Sequence, residues 1–122
     1  MTLMMGEVVR GQKAGRLLGF PTANIKISFD VAFAPGVYAG HVIIRGKKYQ
    51  SALYLAEDLS LQADNIIEAF IFNFSGDLYG REVQVEILKK IRDKQDFKDD
   101  KEAIHQITKD VLEIKEFFRY HP

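Results

Sequence analysis

The chain has 122 residues, 47% of them hydrophobic, and no cysteine. That suffices for one domain with one core and excludes disulfides and thiolate metal centres. Lys plus Arg and Asp plus Glu each number 17, and the resulting zero net charge argues against a basic nucleic-acid binder, an acidic tail protein or a polybasic membrane anchor.

Two-residue alternation and β-branched or aromatic content predict strands over about 4–10 and 23–29. Residues 36–45 and 47–55 read as a hairpin closed at Arg45-Gly46-Lys47. A very apolar strand is expected over 66–74, a turn at Ser75-Gly76-Asp77, and a strand over 82–91. Strand follows strand with no helix between, which favours antiparallel pairing closed into a barrel spanning about 4–91. The period then changes. Ile104, Ile107, Val111, Ile114 and Phe118 recur at three- and four-residue spacing, predicting a helix over about 100–118 with that face on the barrel. Asp99 followed by Glu102 fits a capping box with Asp99 as N-cap. The charge-dense stretch 89–101 reads mostly as a solvated linker.

No apolar run approaches the ~20 residues of a membrane span, and the first six residues lack the length and basic flank of a signal peptide. A cytoplasmic protein is expected. The zero charge is also an average. Residues 1–50 carry seven Lys/Arg and two Asp/Glu, whereas residues 51–122 carry ten and fifteen.

Three features can carry chemistry. The connection over 11–24 contains Gly11, Gly15 and Gly19 with Lys13 and Arg16. Glycines at that density let backbone N–H groups approach an anion, so it reads as a phosphate site or as a plain flexible loop. It matches neither a Walker loop nor a dinucleotide fingerprint. Next, Pro21-Thr22-Ala23-Asn24 puts a hydroxyl and a carboxamide on one face of an extended segment. They are either neutral oxygen ligands for Mg²⁺ or simple turn-bonding groups. Third, Glu68 is alone among apolar residues, and its face by alternation holds Ile66, Phe70, Phe72 and Phe74. A desolvated carboxylate there would have its pKa raised toward the range of a general base. The alternative is an edge-strand Glu, solvated or paired with a Lys. The three histidines form no metal-ligand spacing, and no nucleophile elbow is present.

Several strings together resemble the riboflavin kinase family. They are Gly6-Glu-Val-Val-Arg-Gly11, Gly15-Arg-Leu-Leu-Gly-Phe-Pro-Thr-Ala-Asn24 and Gly36-Val-Tyr-Ala39. Glu68 with Phe74, Asp77-Leu-Tyr-Gly80, and Ile91-Arg92 with Phe97 before a final helix complete the set. The resemblance covers about residues 5–115. It implies a mainly β, six-stranded antiparallel Greek-key barrel with a C-terminal helix, as one domain over 1–122. It implies ATP-dependent phosphorylation of the riboflavin 5′-hydroxyl to FMN. By resemblance Thr22 and Asn24 hold Mg²⁺, and Glu68 is the catalytic base beside the flavin. Gly11, Lys13, Gly15, Arg16, Gly19, Pro21, Thr22, Asn24, Leu78, Tyr79 and Gly80 border ATP, while Arg92 and Phe97 border the flavin. A monomer is implied, with an FMN adenylyltransferase upstream on the chain or separate. The stretch 51–62 lacks the proline usual in the family, and Asn73 replaces a common Asp. A non-catalytic flavin- or nucleotide-binding module derived from such a kinase is the alternative.

Overall fold

A computed structural model describes residues 2–10, 20–27, 33–55 and 65–122. In chain order the elements are β1 (Thr2–Val9), β2 (Ala23–Ile27), β3 (Gly36–Ile44), β4 (Lys47–Leu55), β5 (Ile66–Ile71), β6 (Glu82–Asp93) and α1 (Asp100–Tyr120). Every strand pair is antiparallel, and the sheet closes in the order β1-β2-β5-β4-β3-β6, with β6 returning to β1. Strands β3, β4 and β5 form a meander, and β2 lies beside β5 instead of β3. That is a Greek key. The expected barrel and terminal helix are therefore present.

Closure gives each strand an inner and an outer face. The inner face is filled by apolar side chains from all six strands, among them Met4, Ile25, Leu53, Ile67 and Val85, each fully buried. A second apolar cluster lies outside the barrel. There Val37, Ala39, Ala52 and Tyr54 meet Ile107, Val111, Ile114 and Phe118 of α1. The helix packs on β3, β4 and β6. This explains why all nine residues of β3 are buried: both of its faces are covered. Gly40 in β3 is required by close approach, since a Cβ there would lie 2.2 Å from the Glu86 carbonyl oxygen across a bulged stretch of β6. The outer faces of β2 and β5 carry Asn24, Lys26 and Glu68, at strand positions that are half-buried or exposed.

Three expectations need correction. The strand expected over 66–74 ends at Ile71, because Asn73 takes a left-handed φ of 57°. Alternation is lost there, so Phe72 stays in the outer cluster while Phe74 swings to the inner one. Phe74 thus does not share the face of Glu68. Second, Ile104 is 42% exposed, and Ala103 is buried in its stead. The buried stripe runs Ala103, Ile107, Asp110, Val111, Ile114, Phe118, and Ile104 falls a hundred degrees round the helix from Ala103. Third, β6 extends to Asp93, taking in part of the stretch read as linker. The N-cap holds, with Asp99 Oδ1 accepting from the Glu102 N–H at 2.8 Å. Residues 28–29, expected to prolong β2, lie outside the described residues. No helix among the described residues is long and apolar enough to cross a membrane.

Candidate active site

Pro21 has no N–H for a ladder and restricts the residue before it to extended backbone, so β2 begins just beyond, at Ala23. That start point sets the register. Asn24 pairs with Glu68 of β5, and Glu68 pairs on its other side with Tyr54 of β4. Thr22, two residues before Asn24, reaches the same carboxylate: its Oγ1 donates to Glu68 Oε1 at 3.2 Å. The pairing and this contact set the local geometry. Glu68 stands on a strand paired on both sides, not at an edge, and the Thr22 hydroxyl is turned toward Glu68. Beyond Glu68 on the same face, the Phe70 ring lies 5.1 Å from Phe20 and 5.2 Å from Phe72, centroid to centroid. The carboxylate is half-buried beside an aromatic surface.

Thr22 and Asn24 also line a cleft of ≈ 430 Å³ at the barrel rim, together with Arg10, Pro21, Leu78 and Tyr79. The far wall is the connection between β5 and β6, and its shape follows from its residues. The Asp77 carboxylate accepts from the Tyr79 N–H at 2.9 Å, an Asx turn. Gly80 takes φ 79°, and its N–H donates to the Val8 carbonyl at 2.8 Å. The wall is thus stitched to the end of β1. Gly80 makes the turn rather than lining the cleft. Arg10 was not among the residues singled out from the sequence. Its guanidinium carbon lies 4.1 Å from the Tyr79 ring centroid, a cation–π contact at the cleft mouth. Its place at the end of a strand, next to the glycine-rich connection, was the available signal. Gly11, Lys13, Gly15, Arg16 and Gly19 lie outside the described residues.

The register places one more group on the row. Tyr54 pairs with Val37 of β3, and Val37 with Arg92 of β6. Arg92 is therefore three strands from Glu68, about 14 Å along the sheet at normal strand spacing. Its side chain is engaged by α1. Nε donates to both Asp110 oxygens at 2.9 Å, and Nη2 lies 2.7 Å from Oδ2. Gln106 Nε2 donates to Asp110 Oδ1 at 3.0 Å. The Phe97 ring centroid lies 5.7 Å from the guanidinium carbon. Arg92 and Phe97 are brought together, while Glu68, Thr22 and Asn24 form a separate group at the other end of the row. Asp110 was missed by sequence reasoning, although an acidic residue inside an apolar helical stripe is a signal for a buried partner.

The donor set at the rim has a definite chemistry. A hydroxyl and a carboxamide oxygen are hard and neutral, and one carboxylate stands beside them. Among the described residues no group of three or more His, Cys, Asp or Glu could hold a metal ion. The set suits a hard divalent cation whose remaining oxygens arrive on a negatively charged ligand.

A family model described as "Flavokinase: Riboflavin kinase" matches residues 2–118. The bifunctional riboflavin kinase/FMN adenylyltransferase of Buchnera aphidicola subsp. Acyrthosiphon pisum (strain APS) is 36% identical over 120 residues, covering 95% of this chain and 38% of that protein. The chain spans little more than a third of the length of such curated relatives. Among solved structures, a riboflavin kinase from Trypanosoma brucei superposes with a TM-score of 0.67 at 26% identity, covering 96% of this chain and 79% of the other. A Streptococcus pneumoniae structure described as a macrolide-efflux protein gives a TM-score of 0.78 at 29% identity, over 93% of this chain and 36% of the other.

Proposed function

The chain belongs to the riboflavin kinase family, and we propose that it transfers the γ-phosphoryl group of ATP to the riboflavin 5′-hydroxyl, giving FMN and ADP. The observation that carries this reading is the contact between Thr22 and Glu68 at the edge of the rim cleft. It joins a nucleotide-sized cavity to the one carboxylate of β5.

In this reading ATP lies in the rim cleft, against Leu78 and Tyr79, with Arg10 at its mouth. By the family resemblance, Gly11, Lys13, Gly15, Arg16 and Gly19 would supply the phosphate contacts. The flavin lies against the outer face at the Glu68 end of the row, beside the Phe20 and Phe70 rings, since Tyr54 and Val37 further along are covered by α1. Glu68 accepts the proton of the 5′-hydroxyl as the hydroxyl oxygen bonds to the γ-phosphorus and the bond to the ADP oxygen breaks. Thr22 donates to one carboxylate oxygen, which orients Glu68 toward the substrate. Thr22 and Asn24 would hold Mg²⁺ with the ATP phosphates, and the ion would supply charge neutralisation for the transferred group. Positioning and charge stabilisation are most of what phosphoryl transfer demands of a protein.

Every group invoked lies on one chain, so a monomer is sufficient. The cysteine-free composition suits the reducing cytoplasm. Relatives are named as bifunctional with an FMN adenylyltransferase, and such an activity, on the same or a separate chain, is the expected consumer of the FMN. The test is incubation with riboflavin, ATP and Mg²⁺ followed by chromatography. FMN that appears with this chain and fails to appear with Glu68→Gln supports the reading. Tight riboflavin binding with no FMN would leave a binding module and overturn it.

A further inference from the structure

The connection between β5 and β6 divides the barrel rim in two. On its other side lies a second cleft of ≈ 430 Å³, against the turn between β3 and β4. Phe74, Asp77 and Leu78 form the wall shared by the two clefts. The second cleft is strongly cationic. Arg45, Lys47 and Arg81 line it, and Asp77 is the one carboxylate among its described lining residues. Asp77 already accepts a hydrogen bond from the Tyr79 N–H. Among the described residues, none of the three cations takes part in an ion pair. Lys47 rests its ammonium 5.0 Å from the Tyr49 ring centroid, and Tyr49 is held edge to face against Phe74 at 5.2 Å.

Arg45 adds an independent observation. Arg45 has φ 52° and Gly46 φ 80°, the two left-handed central residues of a tight hairpin turn. Asn, Asp or Gly fits the first of these positions, and a long side chain there strains the backbone. Strain of this kind, found at the lip of a cavity, points to a use for the side chain. Three cations against one carboxylate among the described lining residues also repel one another until a further anion joins them.

We propose that this cleft binds the phosphate group of a phosphorylated small molecule, at a site separate from the cleft bordered by Thr22 and Asn24. The ligand chemistry is a phosphate ester or diphosphate, which either a free nucleotide or a phosphorylated flavin could bring. The proposal requires no turnover and stands apart from the kinase reading.

The experiment is a titration of the ¹⁵N-labelled full chain with inorganic pyrophosphate at low salt. The expected result is saturable shifts at the amides of Arg45, Gly46, Lys47 and Arg81. Arg45→Asn suits the turn better than the native residue, so that variant should be at least as stable. It should nevertheless bind pyrophosphate about tenfold more weakly, as expected for loss of one charge-assisted contact. Lys47→Ala should weaken binding similarly, and added salt should weaken all of it. Separate arms with 5′-AMP and FMN identify the source by which ester binds more tightly and loses more in Arg45→Asn. Shifts confined to residues 8–10 and 22–24, or affinity unchanged in both variants, would overturn the proposal.

Discussion

The Thr22–Glu68 and Arg92–Asp110 contacts stand at opposite ends of one cross-strand row on the outer face of the barrel. At the Glu68 end the contact is a single 3.2 Å hydrogen bond to a half-buried carboxylate, beside an open cleft. At the Arg92 end a guanidinium grips a carboxylate whose side chain is 3% exposed, under the helix. The difference follows from where α1 lies. Covered by the helix, a polar pair must be fully satisfied and serves to fasten β6 to α1. Left uncovered, the polar pair borders an open cleft that a ligand can enter. One sheet face therefore holds a fastening and the proposed reaction site, and removing either should show up in a different measurement.

The sharpest test of that contrast is Glu68→Gln. FMN formation should fall by about 10²–10⁴, the usual worth of a general base, while the thermal midpoint barely moves. A large loss of stability with normal turnover of the folded fraction would break the comparison. The converse change is Asp110→Ala. It strands the Arg92 charge beneath the helix and should cost about 3 kcal/mol in urea denaturation. Thr22→Val keeps the shape but removes the donor to Glu68. Turnover should drop about tenfold or more, as expected for one hydrogen bond to a charged group, with unchanged urea denaturation. Asp99→Ala removes the helix N-cap and should cost about 1 kcal/mol of stability without changing turnover per folded molecule. Ile104→Lys should be smallest, within about 0.5 kcal/mol, because that side chain points away from the barrel.

Much of this architecture is legible in the sequence because it rests on local periodicity. Lys47–Leu55 is read to the residue, and the helix start follows from Asp99 and Glu102. Periodicity fails where the backbone departs from its ideal repeat. The left-handed Asn73 sends Phe74 to the opposite face, and Ile104 fits a helical spacing yet lies on the flank of the stripe. The site is legible in a different way. The residue types at Thr22, Asn24 and Glu68 suggest their chemistry, but alternation cannot say which strands become neighbours. That β2 pairs with β5 across 46 residues is a property of the closed topology, and it alone brings Thr22 to Glu68. Arg92 and Asp110 are likewise joined by helix docking, which a one-dimensional pattern does not encode. The contrast in charge between the chain halves gains a partial spatial meaning. Arg10 and Thr22, from the basic half, lie on the cleft whose far wall carries Asp77 and Tyr79 from the acidic half.

The pairing of β1 with β6 closes the sheet, so none of the six described strands is left at an edge. A protein built this way is portable. It can be carried within a longer chain, as in relatives where the matching stretch is 38% of the whole, without either part templating the other's strands. Any dialogue between such modules must then pass through side chains and loops, and on this barrel the rim is where those gather.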